Sequence, residues 1–158
     1  MNRITSKSIL FTLLLLGNSI AFAAQPAKNL CDALPNTLLS KLYPNVPIKK
    51  SGRQNVCTLT LSHPHTDMWQ VIIQRENWDG NYEYKKNNFA DQKTFKLVEG
   101  LGSEAFQMGL ELHVKVSDKN ILSVKTPLMF NTKQPDPYVT QETQQKAMKE
   151  IVQVLLQK

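Results

Sequence analysis

The chain has only two cysteines, Cys31 and Cys57, and the residues ahead of them decide what they can do. Arg3 and Lys7 supply a short positive region, Ile9 to Leu16 an apolar run, and Gly17-Asn18 a break before Ala21-Phe22-Ala23. This is the layout of an export signal with small residues where a signal peptidase reads, so cleavage is expected after Ala23. The run is short of the roughly 20 apolar residues a membrane-spanning helix needs, and no later stretch approaches that length. Lys28-Asn29-Leu30 lacks the small residue expected before a lipid-modified cysteine, so Cys31 is not read as a lipid anchor. In an oxidising compartment the two cysteines are expected to pair. The 26-position separation closes a loop worth on the order of 3 kcal/mol in the chain-entropy account. A redox pair would need the close Cys-x-x-Cys spacing, which is absent.

The division that follows is a signal peptide over 1–23 and one domain over 24–158, periplasmic or secreted. A hydrophobic fraction of 41% and a charged fraction of 20% exclude a disordered or fibrous chain. The net charge is +6, and removal of Arg3 and Lys7 lowers it by two. Such a mild surplus suits an anionic envelope or lipid surface better than nucleic acid. Export and the lack of a basic stripe interleaved with aromatics argue against nucleic acid as a partner. Lys49, Lys50 and Arg53 are expected in a solvated loop.

Hydrophobic periodicity divides the domain. Pro35 to Tyr43 suits a helix, with Leu38, Leu39 and Leu42 on one side and Pro44 and Pro47 ending it. Val56 to Leu61 alternates as a strand, and Met68 to Arg75 forms its hairpin partner. Tyr82 to Gln92 is a short polar helix. Glu104 to Met108, Leu110 to Val116 and Ile121 to Thr126 are strand-like, and Thr132 to Pro137 is a loop. Thr140 to Leu156 carries Ala147, Ile151, Val154 and Leu155 at helical spacing, with Glu142, Lys146 and Glu150 as a charge ladder outside. The expectation is an α+β domain: an antiparallel sheet of four to five strands with the N-terminal and C-terminal helices packed on one face.

Leu30-Cys31-Asp32-Ala33-Leu34 ahead of a helix and Val56-Cys57-Thr58 opening a strand form a recognisable pattern. Val98-Glu99-Gly100-Leu101-Gly102-Ser103-Glu104-Ala105 before a hairpin and the closing amphipathic helix complete it. The pattern resembles the small exported α+β domains related to the extracellular sensor domains of bacterial kinases, many of them lipoproteins. The resemblance implies linked cysteines and a ligand-binding or sensing role without catalysis, and it carries no catalytic residues to transfer.

Several clusters could carry chemistry. His63-Pro64-His65-Thr66-Asp67 begins like the metallo-β-lactamase signature, but Met68 stands where a further histidine is needed and one other histidine, His113, remains. A smaller zinc or copper site on His63 and His65, with Asp67 or His113 as third ligand, is the alternative to a solvated polar turn. Gly100-Leu-Gly-Ser-Glu-Ala105 imitates a dinucleotide turn, yet strand-like residues follow where that site needs a helix start, so it is read as turn chemistry with Gly100 or Gly102 at positive φ. Ser62 beside His63 does not make a nucleophile pair, since neighbours on a strand face opposite ways. Trp78, Asp79, Asn81, Tyr82 and Tyr84 combine flat rings with amide and carboxylate groups, the kit that stacks on a sugar or clamps a peptide, with core packing as the alternative. Trp69, inside a strand, is expected in the core. The reading is an exported, non-catalytic binding module for a protein, glycan or lipid headgroup, with no cofactor. The alternatives are a small periplasmic metal-binding protein and a secreted hydrolase with a site assembled from scattered acids.

Overall fold

The computed structural model describes residues 29–63, 66–126 and 140–157, with the side chains of 63–68 outside that description. The expected export signal over 1–23 and the loop at 132–137 lie outside the described residues. The chain runs α1 (Asn36–Leu42), β1 (Ile48–Arg53), β2 (Val56–His63), β3 (Thr66–Asn77), α2 (Asn81–Phe89), β4 (Phe95–Leu97), β5 (Glu104–Met108), β6 (Glu111–Lys115), β7 (Asn120–Lys125) and α3 (Gln141–Leu156).

The strands form one antiparallel sheet in the order β1-β2-β3-β7-β6-β5-β4. The α+β class is as expected, but the sheet has seven strands rather than four to five. The two extra strands are its edges. Lys49, Lys50 and Arg53, expected in a loop, belong to β1, and β4 is only three residues long. Charged and very short edge strands are how sheets avoid pairing with other chains, and the same traits erase the alternation that marks a strand in sequence.

The order shows two meanders joined by one long step. β1-β2-β3 turn back and forth, α2 carries the chain to the far edge, and β4 through β7 return until β7 docks beside β3. One face of the sheet carries the main core. Cys57, Leu59, Leu61, Trp69, Val71, Ile73, Leu112, Val114, Leu122 and Val124 alternate inward and meet both α1 and α3. The N- and C-terminal helices thus share this face. Leu39 is the buried residue of α1, and Tyr43, just past it, sets its ring edge-on to Trp69 at 5.5 Å.

Thr140 caps α3 by accepting the Thr143 backbone N–H at 3.2 Å, which satisfies one of the orphan donors of the first turn. The buried stripe of α3 is Ala147, Met148, Ile151, Val152 and Leu155, and Glu150 on its outer side meets Lys41 of α1 at 2.9 Å. The Cys31–Cys57 bridge ties the segment ahead of α1 to β2, with Cα atoms 5.0 Å apart and both residues buried.

Among the described residues the second face is covered where α2 crosses it. Phe106 and Ile121, from β5 and β7, pack there against Tyr82 of α2, with Phe89 and Phe95 around them. α2 itself is polar along most of its length and buries only Asn81 and Tyr82. Among the described residues no helix is long and apolar enough to cross a membrane.

Candidate functional site

The five candidate ligand residues separate into two groups. Trp78 and Tyr84 are exposed, at 47% and 63%, and their rings lie 6.0 Å apart at 57°. Asp79 beside them pairs with Lys119 of the β6–β7 turn at 3.6 Å, both largely in solvent. Asn81 and Tyr82 face inward instead. Asn81 donates its side-chain N–H to Glu76 Oε2 at 2.7 Å, which fixes the start of α2 against the end of β3. Tyr82 packs on Phe106 with ring centroids 5.4 Å apart. The split follows helical geometry: residues two apart, such as Tyr82 and Tyr84, stand about 200° around the axis.

The histidine turn is not brought into a described site. The side chains of His63 and Asp67, and all of His65, lie outside the described residues. His113, the possible third ligand, is placed elsewhere. It pairs with Ser123 of β7, which pairs with Gln74 of β3, eight residues along that strand from Thr66 at the turn. At about 3.3 Å per residue the separation is roughly 26 Å, too far for a shared ion. Among the described residues no group of three or more His, Cys, Asp or Glu converges on a metal position.

His113 is instead the centre of a buried polar cluster under α2, on the same face of β6 as Glu111 and Lys115. It is 1% exposed and stacks on Phe106 at 4.8 Å and on Phe89 at 6.1 Å. Its Nε2 lies 3.3 Å from Glu111 Oε2, and that carboxylate also meets Lys125 at 2.9 Å. A neutral ring donating from Nε2 leaves Nδ1 as a buried acceptor without a partner among the described residues. Burial pulls the imidazole below its ordinary range, and the Lys85 and Lys125 charges add to that, against the contrary pull of Glu111. The hydrogen bond from His113, with the nearby Lys125, holds Glu111 down to about 2 against the cost of its own burial. Glu76 sits alongside, paired with Lys85 and bonded by Asn81. Burial raises it, but these donors and the Lys85 charge outweigh that and hold it below the ordinary carboxylate range.

A third place has the form of a small recess. Between the flank of α2 and the β4–β5 connection lies a cavity of about 330 Å³, lined by Tyr82, Lys86, Leu97 and the Val98–Ala105 segment. Gly100 and Gly102 there have φ of 76° and 59°, the left-handed values expected of this turn, and β5 rather than a helix follows. A side chain at Gly102 would also strike the Lys115 carbonyl, 2.4 Å from where its Cβ would stand. The absence of a side chain at Gly102 is therefore required twice over.

The fold and its surfaces define a disulfide-stapled α+β domain with an exposed aromatic pair and a polar recess. Comparison with protein-family models, with curated proteins and with solved structures returns no match to the chain.

Proposed function

We propose that the chain is an exported, non-catalytic binding module of the bacterial envelope or secreted fraction, whose contact surface centres on Trp78 and Tyr84. The observation that carries this reading is the exposed ring pair. The other aromatics of the described core, Tyr43, Trp69, Tyr82 and Phe106, are buried, whereas these two stand together in solvent. Adjacent exposed rings beside a carboxylate supply flat apolar area with little rotamer entropy to lose, the features that anchor a glycan or a peptide. The cysteine bridge is compatible with the oxidising compartment that export implies.

The test is Trp78→Ala. Because Trp69 is 1% exposed and Trp78 is 47% exposed, acrylamide quenching of intrinsic fluorescence reports Trp78 selectively. Retention of parent and variant on immobilised envelope glycans and extracted envelope proteins gives both affinities without that reporter, and protection of the quenching in the parent shows whether the ligand covers Trp78. The variant is expected to lose about tenfold or more in affinity, the scale of an interface anchor, while its melting temperature moves by no more than about 2 °C, as for an exposed substitution. Undiminished binding by the variant ends the reading, as does global unfolding.

A further inference from the structure

Helix α2 is held to its face of the sheet by contacts of a different kind from those that hold α1 and α3. It buries only Asn81 and Tyr82, and the apolar cluster under it fully buries Tyr82, Phe106 and Ile121. The rest of the attachment is polar: Asn81 and Lys85 reach Glu76, Lys86 reaches Glu104, and Glu83 reaches Lys115. Few buried apolar contacts mark a unit that opens before the rest of a domain. The helix starts at Gly80, which has a φ of 75°, gives no side-chain cap and has open space where a Cβ would stand. A glycine so placed can absorb the backbone change of a hinge. Trp78 lies on the sheet side of Gly80 and Tyr84 on the helix side, so their ring pair exists only while α2 is seated.

Under the seated helix lies His113. The charged groups on its side of the sheet are Glu111 and Lys115 of its own strand, Glu104 of β5, Lys125 of β7 and Glu76 of β3, with Lys85 reaching down from α2. Each carboxylate is already matched by an ammonium: Glu111 by Lys125, Glu76 by Lys85, and Glu104 by Lys86 and Lys115. A proton on Nδ1 therefore adds a charge beyond that balance. It also turns a buried acceptor without a partner among the described residues into a buried donor without one. Lifting α2 gives both to water and costs only the small cluster beneath it. On the other face α1 and α3 lie on the larger apolar core, which includes the Cys31–Cys57 bridge. We propose that α2 is an acid-released arm: protonation of His113 lifts it about Gly80, parts Tyr84 from Trp78 and switches off the contact surface they form, while the α1–α3 face stays folded. The consequence for binding rests on the binding-module reading, and the movement itself does not.

The experiment is hydrogen exchange of the oxidised protein at about pH 7.5 and about pH 5, read for α2 and α3 in the same sample and corrected for intrinsic rates. One proton linked to opening raises the opening constant by up to about tenfold per pH unit below the ordinary imidazole value. Protection of α2 is expected to fall about fivefold or more in acid, while that of α3 changes by less than about twofold. Acrylamide quenching of Trp78 should rise as Tyr84 leaves its side. His113→Phe, which keeps His63 and His65, should hold α2 protection within about twofold across the two conditions. His113→Gln, which keeps a donor for Glu111 and does not titrate, is read in parallel and should do the same. Retention on immobilised envelope glycans and extracted envelope proteins should fall about fivefold or more in acid for the parent and not for these variants. Exchange and quenching need no ligand, so failure of the aromatic surface, seen as no retention near pH 7.5, is read separately from failure of the arm. Equal loss of protection in α2 and α3 overturns the proposal, because the domain then opens as a whole. So does α2 protection that stays constant, acid release that both variants keep, or parent retention that persists while α2 opens.

Discussion

Replacing both cysteines, Cys31→Ala with Cys57→Ala, is expected to lower the unfolding free energy by about 3 kcal/mol. The bridge closes a loop of 26 positions, and its removal returns that loop's freedom to the unfolded chain. In the folded state Cys57 is fully buried on the inward face of β2, so alanine there also leaves a small void and adds to the loss. For a domain of this size each kcal/mol moves the midpoint by about 3–6 °C, so the melting temperature should fall by about 10 °C or more. A typical domain has only about 5–15 kcal/mol in total, so the loss is a large fraction of it. The check is chemical denaturation of the oxidised parent, the reduced parent and the double variant. The reduced parent should match the double variant to within the cost of the void. A midpoint unchanged by reduction would show that the segment ahead of α1 is held by Leu30 and Leu34 in the core and not by the bridge.

The elements legible in the sequence are those with one wet and one buried face. α3 declares itself by a stripe recurring at helical spacing, and β2 by strict alternation of Cys57, Leu59 and Leu61. β1 does not declare itself, because an edge strand reading Ile-Lys-Lys-Ser-Gly-Arg buries none of its side chains fully. β4 is too short for any period to show. The deeper miss is the second layer. Alternation on β6 sorts Leu112 and Val114 from Glu111, His113 and Lys115 but cannot tell that a helix lies over the latter set. That helix, α2, has so little apolar character that its own sequence does not advertise a buried side. The signal was topological: the chain must step from β3 to the far edge, and whatever makes the step roofs the strands between. The same roof separates the candidate ligand residues, turning Asn81 and Tyr82 inward and leaving Trp78 and Tyr84 outside.

Acid is expected to undo that roof first. His113, Glu111 and Glu76 all have folded-state pKa values below their ordinary ones, so each binds fewer protons folded than unfolded. Stability therefore rises with pH across their range, and what each contributes above its unfolded value is lost as the pH falls through its folded one. His113 begins to weigh near its ordinary value of about 6.5. There the unfolded imidazole takes a proton that the buried ring, faced by Glu111, Lys85 and Lys125 and packed against Phe89 and Phe106, resists. The carboxylates follow below about 4.5. Glu111, held at about 2, represents a swing of about 3 kcal/mol at 1.36 kcal/mol per unit, which its 30% side-chain exposure and solvent screening reduce to about 1–2 kcal/mol.

The expected result is a parent chain that loses stability as the pH falls below about 6.5, from His113, and again below about 4.5 from the carboxylates. His113→Phe fits the same aromatic stack, removes the unpartnered Nδ1, and leaves Glu111 with Lys125. It should flatten the loss that begins near pH 6.5 and narrow the loss below pH 4.5, because the His113 hydrogen bond is the main cause of the low Glu111 value and only Lys125 is left to hold it. Denaturant midpoints across that range, read for both chains, decide the matter. Parallel pH profiles for parent and His113→Phe would mean that the imidazole titrates as freely as in the unfolded chain, and that α2 does not seal the second face of the sheet.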